Sequence, residues 1–161
     1  MAAEALAEEF EEEEEIFPSD LDEATHREML HLYRESADTV RFAKTQQWKT
    51  LGATMLLFAG FIALAKIESS NLALVKTITF SSFVVSACAL YMLTLYQLWQ
   101  NTEREKIRAA AKHLSSLAQS VRDLKSRREA NVHRYTILFF MAAMLCLGNA
   151  LVVIVLKPLY S

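Results

Sequence analysis

Three apolar runs alternate with charged segments along the chain: residues 50–65, 77–102 and 135–156 contain no Asp, Glu, Lys or Arg. A helix needs about 20 apolar residues to cross roughly 30 Å of hydrocarbon. The first run reaches that length when Trp48, Lys49 and Lys66 serve as its interfacial ends. The pattern predicts three transmembrane helices, over 48–67, 76–98 and 135–157. The fold class expected is therefore an all-α integral membrane protein, with a cytoplasmic helical module and a disordered acidic N-terminal tail.

The polar segments carry helical periodicity too. In 24–47, Leu30, Tyr33, Ala37 and Val40 recur at helical spacing, which predicts an amphipathic helix capped by Asp22 or Ser19 just after Pro18. Gly and Pro are absent between Pro18 and Gly52, so this helix is free to run into the first span. In 99–134, Ile107, Leu114 and Val121 are spaced by seven, with Ala110, Leu117 and Leu124 between them, a short coiled-coil-like seam. The segment has to leave the membrane after Trp99 and return by Arg134. Two geometries satisfy that. Thr102-x-x-Glu105 could restart a helix in the interfacial plane as a capping box. Alternatively, a hairpin turning near "SSLAQS", with Ser120-x-x-Asp123 capping the returning arm, would extend the second and third spans into water.

Charge divides the chain further. Residues 1–23 hold eleven of the nineteen acidic residues and no Lys or Arg, a density that cannot bury enough surface to fold alone. This tail is expected to be a solubilising appendage or a strip resting on basic groups of the chain or a partner. The remainder, 24–161, reads as one membrane domain. Lys and Arg concentrate on the cytoplasmic side of membrane proteins. Five precede or open the first span, two flank the short connection between spans one and two, nine lie in 99–134 and only Lys157 stands at the end of the third span. The expected topology has the N-terminus and 99–134 in the cytoplasm, and the 67–75 connection and the C-terminus outside. The acidic N-terminus lacks a secretory-signal pattern, and a bacterial inner membrane is the expected location. Trp48, Trp99 and Tyr135, with Arg128, His133 and Arg134, fall at the expected cytoplasmic surface and read as interface anchors.

Within the membrane, close approach of small residues and interhelical hydrogen bonds drive packing. Ala142, Cys146 and Ala150 form a small-residue stripe on the third span, with Asn149 beside it. As the most polar group well inside a span, Asn149 is expected to face and bond another helix. Ser82 and Ser86 on the second span, and Ala59, Gly60 and Ala63 on the first, are the expected counterparts. Cys88 and Cys146 lie inside spans, where small-residue packing is expected rather than a disulfide.

Candidate chemistry is sparse. Glu28-x-x-His31 supplies half of a carboxylate di-metal motif, and no second copy occurs. Three glycines in all and no G-x-x-x-x-G-K-[ST] exclude a phosphate-cradling loop of that type. The spacing Arg128-x4-His133 is similar to the short motif of HEPN-type ribonucleases over six residues, and implies RNA cleavage. Its position directly before "YTILFF" makes interface anchoring the simpler account of both residues. The layout of residues 24–125, an amphipathic helix, two close spans and a polar helix, resembles the SLATT type of bacterial membrane protein. That resemblance implies a pore-forming or membrane-perturbing effector and departs from this chain at the third span. The expectation is a non-enzymatic accessory, scaffold or assembly subunit of a membrane complex, with a homo-oligomeric channel or effector as the alternative. No cofactor, metal or nucleic acid is expected; the expected partners are membrane lipids, other membrane-protein subunits or further copies of the chain.

Overall fold

A computed structural model describes residues 17–19, 21–116 and 127–159. Three α-helices run antiparallel in sequence: α1 (Glu23–Ile67), α2 (Leu72–Ala111) and α3 (Arg127–Leu156), followed by a short 3₁₀ turn, Lys157–Leu159. Each is long and apolar enough over part of its length to cross a membrane. At 1.5 Å per residue, α1 is about 68 Å long and α2 about 60 Å, some twice the thickness of the hydrocarbon layer. Both therefore continue well past one apolar boundary.

Asp22 caps α1. Its Oδ1 accepts from the backbone N–H groups of Ala24 and Thr25 at 3.0 Å each, and its Oδ2 from the Thr25 hydroxyl at 2.6 Å. Those bonds, the Thr25 hydroxyl foremost, hold the Asp22 carboxyl below its usual range. Ser19 serves elsewhere: its hydroxyl donates to the His113 carbonyl at 2.7 Å. Phe17 and Ser116 exchange two further bonds, so residues 17–19 clasp the end of the α2 arm.

No break separates the polar and apolar parts of α1. At the far end, Glu68 N–H closes α1 on the Leu64 carbonyl, and Asn71 caps α2 by accepting from the Leu74 N–H at 3.1 Å. The helix of the second span thus starts four residues before the expected position. It then continues without interruption to Ala111. Thr102, the expected capping residue of an interfacial helix, lies inside α2, and its hydroxyl donates to the Leu98 carbonyl. The interfacial-helix geometry is therefore replaced by a straight arm, as in the hairpin alternative. The chain turns over 112–115. Residues 1–16, 20 and 117–126 lie outside the described residues, and with them most of the acidic tail, the Ser120-x-x-Asp123 cap and the Leu117, Val121 and Leu124 part of the seam.

The interior follows one continuous helical seam. On α1 it comprises Ser36, Ala43, Gln47, Leu51, Thr54, Phe58 and Ala65; on α2 it runs from Val75 through Ser82, Ser86, Leu93, Gln97 and Gln100 to Ala110. α3 contributes Met141, Leu145, Asn149, Val152 and Leu156. Two apolar clusters result. Phe58, Ala65, Val75, Ile78, Val152 and Leu156 fill the end near the short connection, and Leu51, Ala89, Leu93, Met141 and Leu145 fill the other. The α1 stalk buries Ser36, with Tyr33, Ala37 and Val40 half-buried beside it.

On the first span, the expected packing face is corrected. Ala59, Gly60 and Ala63 point outward, while Leu51, Thr54 and Phe58 are buried. The glycine at the point of closest approach is Gly148 on α3. A Cβ there would meet Met55 Sδ and Phe58 Cδ2 at 2.9 Å, whereas Gly52 and Gly60 border open space. The stripe Ala142, Cys146 and Ala150 lies to one side of the buried positions of α3: Ala142 is half-buried, Cys146 and Ala150 exposed. Small size alone did not select the interior face, because the larger Phe58 ring needs a gap opposite it and Gly148 provides one.

Buried hydroxyls in the spans bond within their own helices. Thr54 donates to the Thr50 carbonyl, Ser82 to Thr79 and Ser86 to Ser82, at 2.7–2.8 Å. They are thus satisfied without an interhelical partner. Asn149 differs. It faces the bundle, but its Oδ1 is buried with no hydrogen-bond partner among the described residues. Asn149→Leu, which keeps the branched shape, is therefore expected to raise the melting temperature of the single chain in detergent, since it removes a stranded acceptor worth about 1–3 kcal/mol. A fall in melting temperature would show instead that the Asn149 amide makes a bond that holds the bundle.

Candidate functional site

The densest polar constellation among the described residues sits where the two-helix arm meets the apolar part of the bundle. α1 supplies Ser36 and Gln47, α2 supplies Gln97, Gln100, Asn101, Glu103 and Arg104, and α3 supplies Asn131, Arg134 and Tyr135. Gln47 lies between the helices with both ends of its amide engaged. Its Nε2 donates to the Leu93 carbonyl at 3.1 Å, and its Oε1 accepts from Gln100 Nε2 at 2.8 Å. Both glutamines are nearly inaccessible. In low dielectric such paired amides tie two helices in one register, because a shifted register would strand them.

One turn along α2, Glu103 is buried and bonded to Lys106 Nζ at 2.7 Å. The Lys106 hydrogen bond, with smaller help from Ser36 and Trp99, holds its carboxyl below the usual range against the opposing effect of burial. A carboxyl depressed in the folded state stabilises the fold above its unfolded pKa, and that stability is lost as the pH falls through the folded value. Acidification is thus expected to lower the melting temperature through and below the ordinary carboxylate range. Glu103→Gln should reduce stability at neutral pH and flatten that acid limb. An unchanged acid limb in Glu103→Gln would assign the loss to other carboxylates.

The α2–α3 junction is built on Asn101. Its Oδ1 accepts from Arg134 at 2.8 Å and from Gln97 at 3.3 Å, and its Nδ2 contacts the Tyr135 hydroxyl at 3.3 Å. Asn131 accepts a second bond from the Arg134 guanidinium, which also lies 5.8 Å from the Tyr135 ring centroid. Arg134 is accordingly half-buried and turned towards α2, a link between helices beyond the anchoring role expected of it. Arg104 lies close by on α2. Burial, then the charges of Arg134 and Arg108, lower its pKa. The Nε atoms of Arg104 and Arg134 are both buried without a hydrogen-bond partner among the described residues.

The remaining interface residues surround this level. Trp48, Trp99 and Tyr135 are exposed, with Phe42 edge-on to Trp99 at 6.2 Å between centroids. His133 is exposed; the Arg128 side chain lies outside the described residues. Glu28 and His31 both face outward on the arm, and His31 Nδ1 is 4.0 Å from Glu35. Sequence reasoning missed Gln47, Gln100, Asn101 and Arg104. The signal available was their place on the same helical periodicity as the apolar seam, which marks polar residues at interior positions. Comparison with known proteins finds no matching family model, curated protein or solved structure.

Proposed function

We propose that this chain is a small multi-pass membrane protein acting as a non-enzymatic accessory or scaffold subunit, which holds the α1/α2 arm at a fixed angle to the membrane for other subunits. The observation that carries the reading is the continuity of α1 and α2 from apolar span to charged arm, locked at the boundary by Gln47, Gln100 and Glu103. A helix that passes the boundary unbroken transmits position rigidly, whereas a hinge would let the arm swing. The arm's outer face carries the ion pairs Arg27–Glu23 and Arg41–Asp38, in keeping with a water-facing surface.

By the distribution of Lys and Arg, the arm is cytoplasmic and the Glu68–Asn71 connection and C-terminus lie outside, in a bacterial inner membrane. A reporter active only outside the cytoplasm should be silent at residues 20 and 118, and active at residue 70 and after Ser161. Activity at 118 would reverse the orientation and place the arm outside. Purification from the native membrane in mild detergent, followed by mass analysis, should recover stoichiometric membrane-protein partners. Self-association is the second reading, favoured by the small residues Cys146 and Ala150 exposed on α3. A defined homo-oligomer that conducts in pure lipid, with no co-purifying subunit, would select it.

A further inference from the structure

Arg104 lies one turn along α2 from Asn101, the residue that receives Arg134 from α3, and among the described residues no carboxylate pairs with either guanidinium. The charges acting on Arg104 are both cations, Arg134 and Arg108. The acids nearest to it in sequence are already engaged, Glu103 by Lys106 and Glu105 by Arg108. The acceptors that hold Arg134, Asn101 and Asn131, are neutral amides that fix its orientation without cancelling its charge. Each guanidinium retains a buried Nε–H with no acceptor among the described residues. Like charges brought together and partly desolvated are unfavourable unless an anion completes the arrangement.

We propose that Arg104 and Arg134 form a binding site for a phosphate group, carried by an anionic phospholipid headgroup or present as free phosphate. A planar guanidinium offers parallel N–H donors that match two phosphate oxygens. Arg104 comes from α2 and Arg134 from α3, so a phosphate between them would join the two helices as well as neutralise them. Trp99 and Tyr135, exposed beside the site, mark the depth at which headgroups lie. Basic pockets between membrane helices on the cytoplasmic side are suited to such headgroups. The phospholipid source rests on the membrane reading above; the free-phosphate source does not.

The test uses the full chain purified in neutral detergent, with melting followed during separate titrations of phosphatidylglycerol, phosphatidylcholine and inorganic phosphate. Phosphatidylglycerol is expected to stabilise the unmodified protein more than phosphatidylcholine does. Arg104→Gln should weaken that binding about tenfold, the scale of one lost charge-assisted hydrogen bond. Arg104→Lys, which keeps the charge and loses the fork, should fall between. Lys66→Gln removes the same charge at the opposite end of α1 and should bind as the unmodified protein does. The Arg104 side chain makes no hydrogen bond or ion pair among the described residues, so Arg104→Gln should fold; Arg104→Lys carries the comparison if it does not. Stabilisation by inorganic phosphate that is sensitive to Arg104 would assign a soluble source, and its absence beside an Arg104-sensitive lipid effect would assign the headgroup. The site is overturned if neither phosphatidylglycerol nor phosphate acts on the unmodified protein, or if Arg104→Gln and Arg104→Lys bind as Lys66→Gln does. A reversed reporter topology would displace the membrane orientation and leave the phosphate result standing.

Discussion

Gln47→Leu is expected to lower the stability of the bundle in detergent by about 1–3 kcal/mol, the penalty of leaving one buried polar group stranded. The group stranded is Gln100 Nε2, whose acceptor at 2.8 Å is Gln47 Oε1. Gln100→Leu should have a similar effect through the opposite loss, since Gln47 Oε1 would keep no donor. Their combination should be much milder than the sum. With both amides gone, neither side chain leaves its partner unpaired, and leucine is close to glutamine in size. Denaturant or thermal unfolding of the three variants and the unmodified protein reads the coupling directly. Additive losses would mean that the two glutamines act independently, and the register lock assigned to them would fail. The same pair bears on the arm: loss of the lock should increase protease sensitivity of the arm before it unfolds the spans.

Gly148→Val should be at least as damaging, by about 3 kcal/mol, the upper end of overpacking a close contact. The first added carbon already falls 2.9 Å from both Met55 Sδ and Phe58 Cδ2. Met55 can yield by rotating its thioether, but the Phe58 ring is buried among Ala65, Val75 and Val152 and has little room. Gly148→Ala should lose less, because the steric penalty is offset by alanine's helix preference of about 1 kcal/mol over glycine. Gly52→Ala and Gly60→Ala meet open space and should be neutral or stabilising. Equal behaviour of all three alanine variants would show that α3 does not approach α1 as described.

Much of the architecture was legible from local chemistry. Charge-free runs of spanning length are a one-dimensional property, and they locate the three apolar helices before any contact is known. The absence of Gly and Pro between Pro18 and Gly52 foretold an unbroken α1, and Asp22 at its start was one of two capping residues named. Ser82 and Ser86 were placed inward by their shared face, where they lie.

The choice of interior face was a different matter. In a soluble helix the apolar side points inward, so composition and orientation coincide. In a span every side is apolar, and the pattern that normally identifies the core disappears. Ala59, Gly60 and Ala63 were therefore expected to face inward for their small size, and the fit of Phe58 against Gly148 put Thr54 and Phe58 there instead. The fate of Thr102 was tertiary too: a sequence able to cap a helix continues one when α1 alongside supplies a partner for the extended arm. Arg104 and Arg134 stand thirty positions apart, and their meeting depends on the relative rotation of α2 and α3. Sequence by itself determined how many apolar helices there are and where the charges gather. The tertiary structure decided which sides of those helices meet, because that is a matter of shape complementarity between surfaces that hydropathy cannot tell apart.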